Sequence, residues 1–191
     1  EHIPGIYALV AAGGRIFYIL DEAPTASVRR MAEWRLVARD AFNGILLWKQ
    51  PVAAWFPHIV NWGQTPPQLE RRLVSVGNRV YVTLGLHAPL SALDATTGDT
   101  VTVYADTRGT EEVLWHQGIL LLVVREVSAE RLAEQQKWQQ LVRRGEAAIE
   151  DRDSAEPLVK GLRAAEAKGE LSVLALEADS GVFRPMSLGF S

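Results

Sequence analysis

Alternating apolar and polar residues occur in three groups along the chain, and each group contains the same short turn sequence. The groups are LVARDAFNGILLW at 36–48, LSALDATTGDTVTV at 90–103 and VLALEADSGVF at 173–183. Period-two alternation is typical of half-buried strands, and glycine supplies the positive φ that a tight turn requires. The pattern predicts three β-hairpins, whose turn residues are Asp40, Asn43 and Gly44, then Asp94, Thr97 and Gly98, then Glu177, Ser180 and Gly181.

A pair of strand-like segments precedes each hairpin. The pairs are 6–10 with 15–19, 72–76 with 79–83, and 112–115 with 119–124, and a glycine-containing turn separates the members of each pair. The segments are rich in β-branched and aromatic residues, which strands favour. Each unit therefore reads strand, turn, strand, loop, strand, turn, strand, and we expect three four-stranded antiparallel meanders.

The third unit contains an insertion at about 128–168. Its composition changes to Ala, Glu, Gln, Arg and Lys, and residues from Glu134 to Ile149 recur mostly at three- and four-residue steps. This spacing is typical of an amphipathic helix, for which Ser128 is a candidate N-cap, and a second, shorter helix is expected to end at Gly169. The insertion is predicted to be an α-helical hairpin. Two interpretations of its Trp138 stay open, a partner-binding surface and a solvated excursion.

An aromatic, proline-rich segment joins the first two units. It reads PVAAWFPHIVNWGQTPP at 51–67 and includes Trp55 and Trp62. These side chains are candidates for a surface that binds a partner. The simpler interpretation is that they fill the space between neighbouring units, because buried aromatic residues usually serve packing.

Composition restricts the function classes. The chain has 191 residues, 48% of them apolar, and a net charge of −3 from interspersed acidic and basic residues. This balance argues against a nucleic-acid partner, and no apolar run is long enough for a transmembrane segment. The absence of cysteine excludes disulfides and thiolate sites. The chain begins and stops abruptly, so we expect it to be a piece of a longer protein.

The repeated turn with its flanking strands resembles the PQQ-like (quinoprotein-type) repeats. The segments that carry the resemblance are Asp40-Ala-Phe-Asn-Gly44, followed by Trp48, and Asp94-Ala-Thr-Thr-Gly98. The third unit departs from the pattern with Glu177 and Phe183, and the second has Val103 or Tyr104 in the Trp region. The resemblance implies an all-β fold, a partial β-propeller of three blades at about 5–50, 68–105 and 111–187, with the helical hairpin inserted in the third. It also implies a periplasmic or cell-envelope location.

The same family contains both quinone-dependent dehydrogenases and non-catalytic outer-membrane assembly scaffolds. A dehydrogenase of this kind would bring a tryptophan floor, a calcium site and a catalytic aspartate, and no set of residues here matches those positions. The repeat acids are explained as turn caps, so we assign no catalytic, cofactor-binding or metal-binding residue. We expect a non-catalytic protein-interaction or scaffold module. The alternative is part of a quinoprotein-like or other multidomain enzyme whose catalytic residues lie outside this chain.

Three blades are fewer than the four to eight that close a propeller ring. The expected partner is therefore a further protein, the remaining blades of the parent protein, or a second copy in a homodimer.

Overall fold

The computed structural model describes residues 6–22, 33–53, 69–126, 128, 129, 133 and 171–184. The first group of strands is β1 (Ile6–Ala12), β2 (Arg15–Asp21), β3 (Trp34–Asp40) and β4 (Leu46–Pro51). The second is β5 (Leu73–Val76), β6 (Arg79–Thr83), β7 (Leu90–Asp94) and β8 (Thr100–Tyr104). The third is β9 (Thr110–His116), β10 (Ile119–Arg125), β11 (Leu171–Glu177) and β12 (Phe183–Arg184). Short 3-10 turns at Leu69–Arg72 and Ala105–Thr107 precede the second and third groups.

Each group forms one four-stranded antiparallel sheet with its strands in chain order. The register is equivalent in the three sheets: the first residue of the second strand pairs with the motif acid, as Arg15 with Asp40, Arg79 with Asp94 and Ile119 with Glu177. Positions in different sheets can therefore be compared by their distance from this pair. The three predicted meanders are confirmed.

The three sheets lie side by side with their first strands close together. Strand β1 contacts β5, and β5 contacts β9. The fourth strands are at the opposite edges of the sheets, because each sheet is a simple meander. Sheets that converge at their first strands and diverge at their fourth strands are arranged like propeller blades. The all-β, propeller-like prediction is confirmed, and the described residues form three blades without closing a ring.

Two apolar cores hold the sheets together, one at each sheet-to-sheet interface. The first includes Phe17 and Leu36 from the first sheet with Val80 and Leu93 from the second. The second includes Tyr81 and Leu90 from the second sheet with Leu120, Leu122 and Leu176 from the third. Side chains alternate between the two faces of a strand, so the middle sheet contributes successive residues to different cores. It consequently lies between the two cores.

Two predicted segments lie outside the described residues. These are most of the helical insertion at 128–168 and the aromatic segment from 54 to 67. The helical hairpin stays a prediction. The part of the chain that is described contains no helix long and apolar enough to span a membrane.

Candidate functional site

The three motif turns have nearly the same backbone hydrogen bonds. The glycine N–H donates to the carbonyl of the acid at 3.0 Å in the first turn and 2.8 Å in the other two. Gly44, Gly98 and Gly181 all have positive φ, at 74°, 81° and 70°. The three glycines therefore adopt a backbone conformation that other residues rarely adopt.

The first two acids cap their turns through the side chain. Asp40 Oδ1 accepts hydrogen bonds from the N–H groups of Phe42 and Asn43, at 2.9 and 3.0 Å. Asp94 Oδ1 accepts the equivalent bonds from Thr96 and Thr97, at 2.7 and 3.2 Å. Both acids therefore have the Asx-turn role that the sequence predicted.

Glu177 stabilises its turn differently because its side chain is one methylene longer. Its carboxylate accepts a hydrogen bond from the Ser180 hydroxyl at 2.7 Å and from Arg184 Nε at 2.9 Å. The Ser180 Oγ in turn accepts the Val182 N–H at 3.2 Å. In this turn the acid bonds to side chains, whereas in the other two it bonds to backbone N–H groups.

Hydrogen bonding lowers the pKa of two of these carboxyl groups. For Asp94 the main cause is the N–H of Thr96, and the N–H of Thr97 and the charge of Arg79 act in the same direction. For Glu177 the main cause is the Ser180 hydroxyl, followed by Arg184. Both groups are therefore ionised at neutral pH, and their charges are compensated locally by turn donors.

Each motif turn is also bonded to the first hairpin turn of its own sheet. The alanine after the acid donates its N–H to a carbonyl of that turn: Ala41 to Gly14 at 2.9 Å, Ala95 to Asn78 at 3.1 Å and Ala178 to Gly118 at 2.9 Å. The alanine N–H is thereby satisfied inside the sheet, and the carbonyls of Ala95 and Ala178 are left to accept hydrogen bonds from a neighbouring sheet.

An aromatic side chain from the preceding sheet uses that carbonyl at the first interface. Trp48 Nε1 donates to Ala95 O at 3.1 Å, and its ring lies against Gly98. A Cβ at Gly98 would be 2.7 Å from the indole ring, so a side chain at this position would collide with it. Gln50 Nε2 adds a second bond, to Gly98 O at 2.9 Å. We call this arrangement the aromatic–turn contact.

The second interface has the same aromatic–turn contact with a different residue. Tyr104 Oη donates to Ala178 O at 2.6 Å, and a Cβ at Gly181 would be 3.2 Å from the tyrosine ring. Tyr104 is buried, which raises its pKa to about 12, with smaller contributions from Tyr81 and Asp179. The phenol is therefore protonated, as donation to a carbonyl requires.

The faces of the sheets are named here by the neighbour that they contact. A forward face points to the next sheet along the chain, and a rear face points to the preceding sheet. Four residues before the motif acid, Leu36 and Leu90 lie on forward faces and are completely buried. The equivalent Val173 of the third sheet is 48% exposed. The forward face of the third sheet thus has an aliphatic residue at the same position, but no described sheet covers it.

The same forward face carries further apolar residues together with one acidic residue, Glu112, which lies opposite Val123. The apolar residues include Leu121 and Val123 of β10 with Ala175 of β11, as the register of these strands places them on one side. Leu114, opposite Leu121, and Leu171 are both 53% exposed. Clusters of exposed apolar side chains are typical of interaction surfaces.

The rear face of the first sheet is mixed: Leu9, opposite Tyr18, is 56% exposed on it, and charged residues lie beside it. Arg39 Nε donates to Tyr18 Oη at 2.8 Å, and Arg39 Nη1 donates to Gly44 O at 2.7 Å. Arg35 and Lys49, on the same face, both form ion pairs with Glu22. Val37 lies among these groups and is completely buried. The two outward faces of the row are consequently unlike.

Two residues that the sequence analysis named lie between sheets. Trp48 contacts the second sheet, and the second unit uses Tyr104 and not Val103 at the equivalent place. The sequence did not reveal Gln50 or Arg39 as contact residues, although their nearness to a motif turn was a usable signal. The proposed partner-surface residues Trp55, Trp62 and Trp138 lie outside the described residues.

The described residues offer no group of three or more His, Cys, Asp or Glu side chains that could hold a metal ion. The motif acids are in separate sheets, and their carboxylates are used by their own turns.

No protein-family model matches the chain, and no curated protein matches it. Among solved structures, a chain described as a europium-containing methanol dehydrogenase matches with a TM-score of 0.47 and 12% identity. The match covers 94% of this chain and 24% of that one, so the present chain spans about a quarter of that protein. The three sheets, their strand order and their interfaces define the propeller-like fold independently.

Proposed function

We propose that this chain is a segment of a PQQ-like repeat β-propeller that acts as a protein-interaction or scaffold module. Its repeats are the units at about 5–50, 68–105 and 111–187, and 128–168 is a helical insertion in the last of them. The observation that carries the proposal is the exposed forward face of the third sheet. Val173 is 48% exposed on it, at a position where the other two sheets have a completely buried leucine.

Energetics support an interaction role for this face. Covering an exposed aliphatic side chain contributes roughly 1 to 2 kcal/mol. Leu114, Leu171 and Val173 each leave about half of their surface in water. Association through this face would therefore gain free energy from side chains that already stand in strand register. The motif acids do not compete with this role, because they stabilise the turns.

Photo-crosslinking in the native cell tests the proposal. Benzoylphenylalanine at Val173 is expected to crosslink to a polypeptide, either a partner or another part of the parent protein. The matched control is the same substitution at Val101, which is equally exposed, at 49%, on strand β8 of the covered middle sheet. Absence of a polypeptide crosslink from position 173, or equal crosslinking from both positions, would count against an interaction module.

A titration with pyrroloquinoline quinone and calcium tests the enzyme alternative. An interaction module is expected to leave the absorbance spectrum of the quinone unchanged in the presence of the 191-residue chain. A saturable spectral change that the chain causes only with calcium present would favour the quinoprotein alternative.

A further inference from the structure

We infer that the forward face of the third sheet receives a fourth β-sheet whose rear face is aliphatic, and that the first sheet of a second copy does not fill this place. The inference rests on the proposed function, because it names the partner of the same interaction face.

The forward face of the third sheet matches the two that are covered. Two residues before each motif acid is an alanine, and Ala38, Ala92 and Ala175 are all buried. In the second strand of each sheet, one residue pairs with the motif acid. The residue two positions after it is large and apolar in every sheet: Phe17, Tyr81 and Leu121. A small residue beside a large one is thus repeated at the same register in all three sheets. The third forward face has the shape of a sheet that is followed by another.

The rear faces that fit against such a forward face are aliphatic. In the second sheet, Val80, Val82 and Leu93 form the contact and are completely buried. In the third sheet, the equivalent residues are Leu120, Leu122 and Leu176, and they are also completely buried. Both interfaces therefore set the same requirement for the incoming sheet.

The first sheet meets this requirement at Ile16, which is at the position of Val80 and Leu120, but not at the other two positions. Tyr18 is at the position of Val82 and Leu122, and Arg39 is at the position of Leu93 and Leu176. The two residues bond to each other at 2.8 Å. Arg39 also donates to Gly44 O, whereas the equivalent Gly98 O accepts a bond from Gln50 of the preceding sheet. The glycine carbonyl of the first motif turn is therefore bonded by Arg39 of its own sheet, whereas that of the second turn is bonded by a neighbouring sheet.

Head-to-tail pairing of two copies would place Arg39 against Leu121 and Val173. An arginine transferred from water to these aliphatic side chains loses hydration, which is unfavourable. The Glu112 carboxylate on the same face is already paired with Arg71 at 3.2 Å. Arg35 and Lys49 would enter the same interface. A sheet with aliphatic residues at these positions has no such penalty. The chemistry of the first rear face therefore selects against self-association and in favour of a different sheet.

A gain-of-function variant tests the inference. Arg39→Leu combined with Tyr18→Val gives the first sheet the rear-face residues of the other two. Sedimentation velocity is expected to show the wild-type chain as a monomer and the double variant as a dimer, with self-association at least tenfold tighter. Adding Val173→Lys to the double variant should abolish the dimer, whereas adding Val101→Lys, at a position of equal exposure, should not.

Two outcomes would overturn the inference. One is a wild-type dimer that Val173→Lys disrupts, since a second copy would then be the occupant. The other is a folded double variant, verified by circular dichroism, that stays monomeric at every concentration. If the double variant does not fold, the single variant Arg39→Leu is tested in its place. It is expected to self-associate more tightly than the wild-type chain. A folded single variant that stays monomeric would contradict the inference. Crosslinking from position 173 reports on the proposed function separately, because it does not depend on the first sheet.

Discussion

The two sheet-to-sheet interfaces share one receiving turn and use two different aromatic residues. At the first, the aromatic residue is Trp48, four positions after Gly44. At the second, it is Tyr104, six positions after Gly98. Positions two apart on a strand point to the same side, so both rings reach the neighbouring sheet. What the interfaces preserve is a donor to the alanine carbonyl and a flat ring over glycine, while the residue type and its position vary.

The distance between the aromatic ring and the glycine differs between the two interfaces. This difference predicts the largest change in the free energy of unfolding. A Cβ at Gly98 would be 2.7 Å from Trp48, and one at Gly181 would be 3.2 Å from Tyr104. Both substitutions also impose strain at positive φ. We expect Gly98→Val to lower the free energy of unfolding by about 4 kcal/mol and Gly181→Val by about 2 kcal/mol, from strain plus overpacking. Urea unfolding measures both.

Gly44→Val is the control for this comparison. Gly44 has a φ of 74°, and a Cβ there would have no described atom within 4 Å. The substitution therefore introduces strain without a collision, and the expected loss is about 1 kcal/mol. Equal losses at positions 44 and 98 would show that the ring of Trp48 does not press on the turn.

The hydroxyl of Tyr104 gives a smaller, separate prediction. Tyr104→Phe removes the donor to Ala178 O, a bond of 2.6 Å at a buried site. We expect a loss of about 1.5 kcal/mol, because the carbonyl is left without its partner. Tyr18→Phe is the matched control, and its loss should be about 0.5 kcal/mol since its partner Arg39 is accessible to water. A larger loss for the control would argue against the aromatic–turn contact.

Alkaline pH should weaken the second interface selectively. The pKa of Tyr104 is raised from 10.0 to about 12, first by burial. Between these values the folded chain holds a proton that the unfolded chain has released, so stability falls as pH rises. The contribution is complete below pH 10.0 and is lost as the pH passes about 12.

The measurement is the melting temperature of wild type and Tyr104→Phe across this range. The difference between the two proteins should narrow as pH rises, because the variant lacks the ionising group. Some decline should persist in the variant, since burial also raises the pKa of Tyr81 and Tyr7. A constant difference would contradict the role assigned to the Tyr104 proton.

Acid pH should have the smallest effect and should act on the turns. The pKa of Asp94 is lowered from 3.8 and that of Glu177 from 4.5, so each stabilises the fold above its ordinary value and loses this contribution as pH falls. Asp94→Asn and Glu177→Gln should each flatten the acid side of the stability profile in urea unfolding. An unchanged acid side in both variants would show that the caps contribute nothing measurable.

Much of this architecture could be predicted from the sequence because it is local. Alternation fixed the strands, and the need for positive φ located the turns at Gly44, Gly98 and Gly181. Alternation separates two faces of a strand without saying what covers either of them. Arg39 therefore looked like an ordinary outward residue, and its bond to Gly44 O emerged only from the folded arrangement.

The sequence also left open whether Val103 or Tyr104 takes the place of Trp48 in the second unit. An equivalent one-residue register shift lies between Ala38 and Arg39 in the first sheet and between Ala92 and Leu93 in the second. Trp48 pairs with Ala38, whereas Tyr104 pairs with Leu90, which is two residues further from its motif acid. The two rings therefore occupy different register positions, and the contact residue could not be found by counting the same distance from each glycine.

The second unit contains both halves of the aromatic–turn contact, and this bears on how such chains change in length. Its turn from Asp94 to Gly98 receives the ring of Trp48, and its own Tyr104 reaches the turn of the next sheet. A duplicate of this unit would therefore meet a compatible neighbour on each side without any other substitution. Gene duplication can add a blade of this kind in a single event, and later drift can exchange the ring, as tryptophan and tyrosine illustrate here.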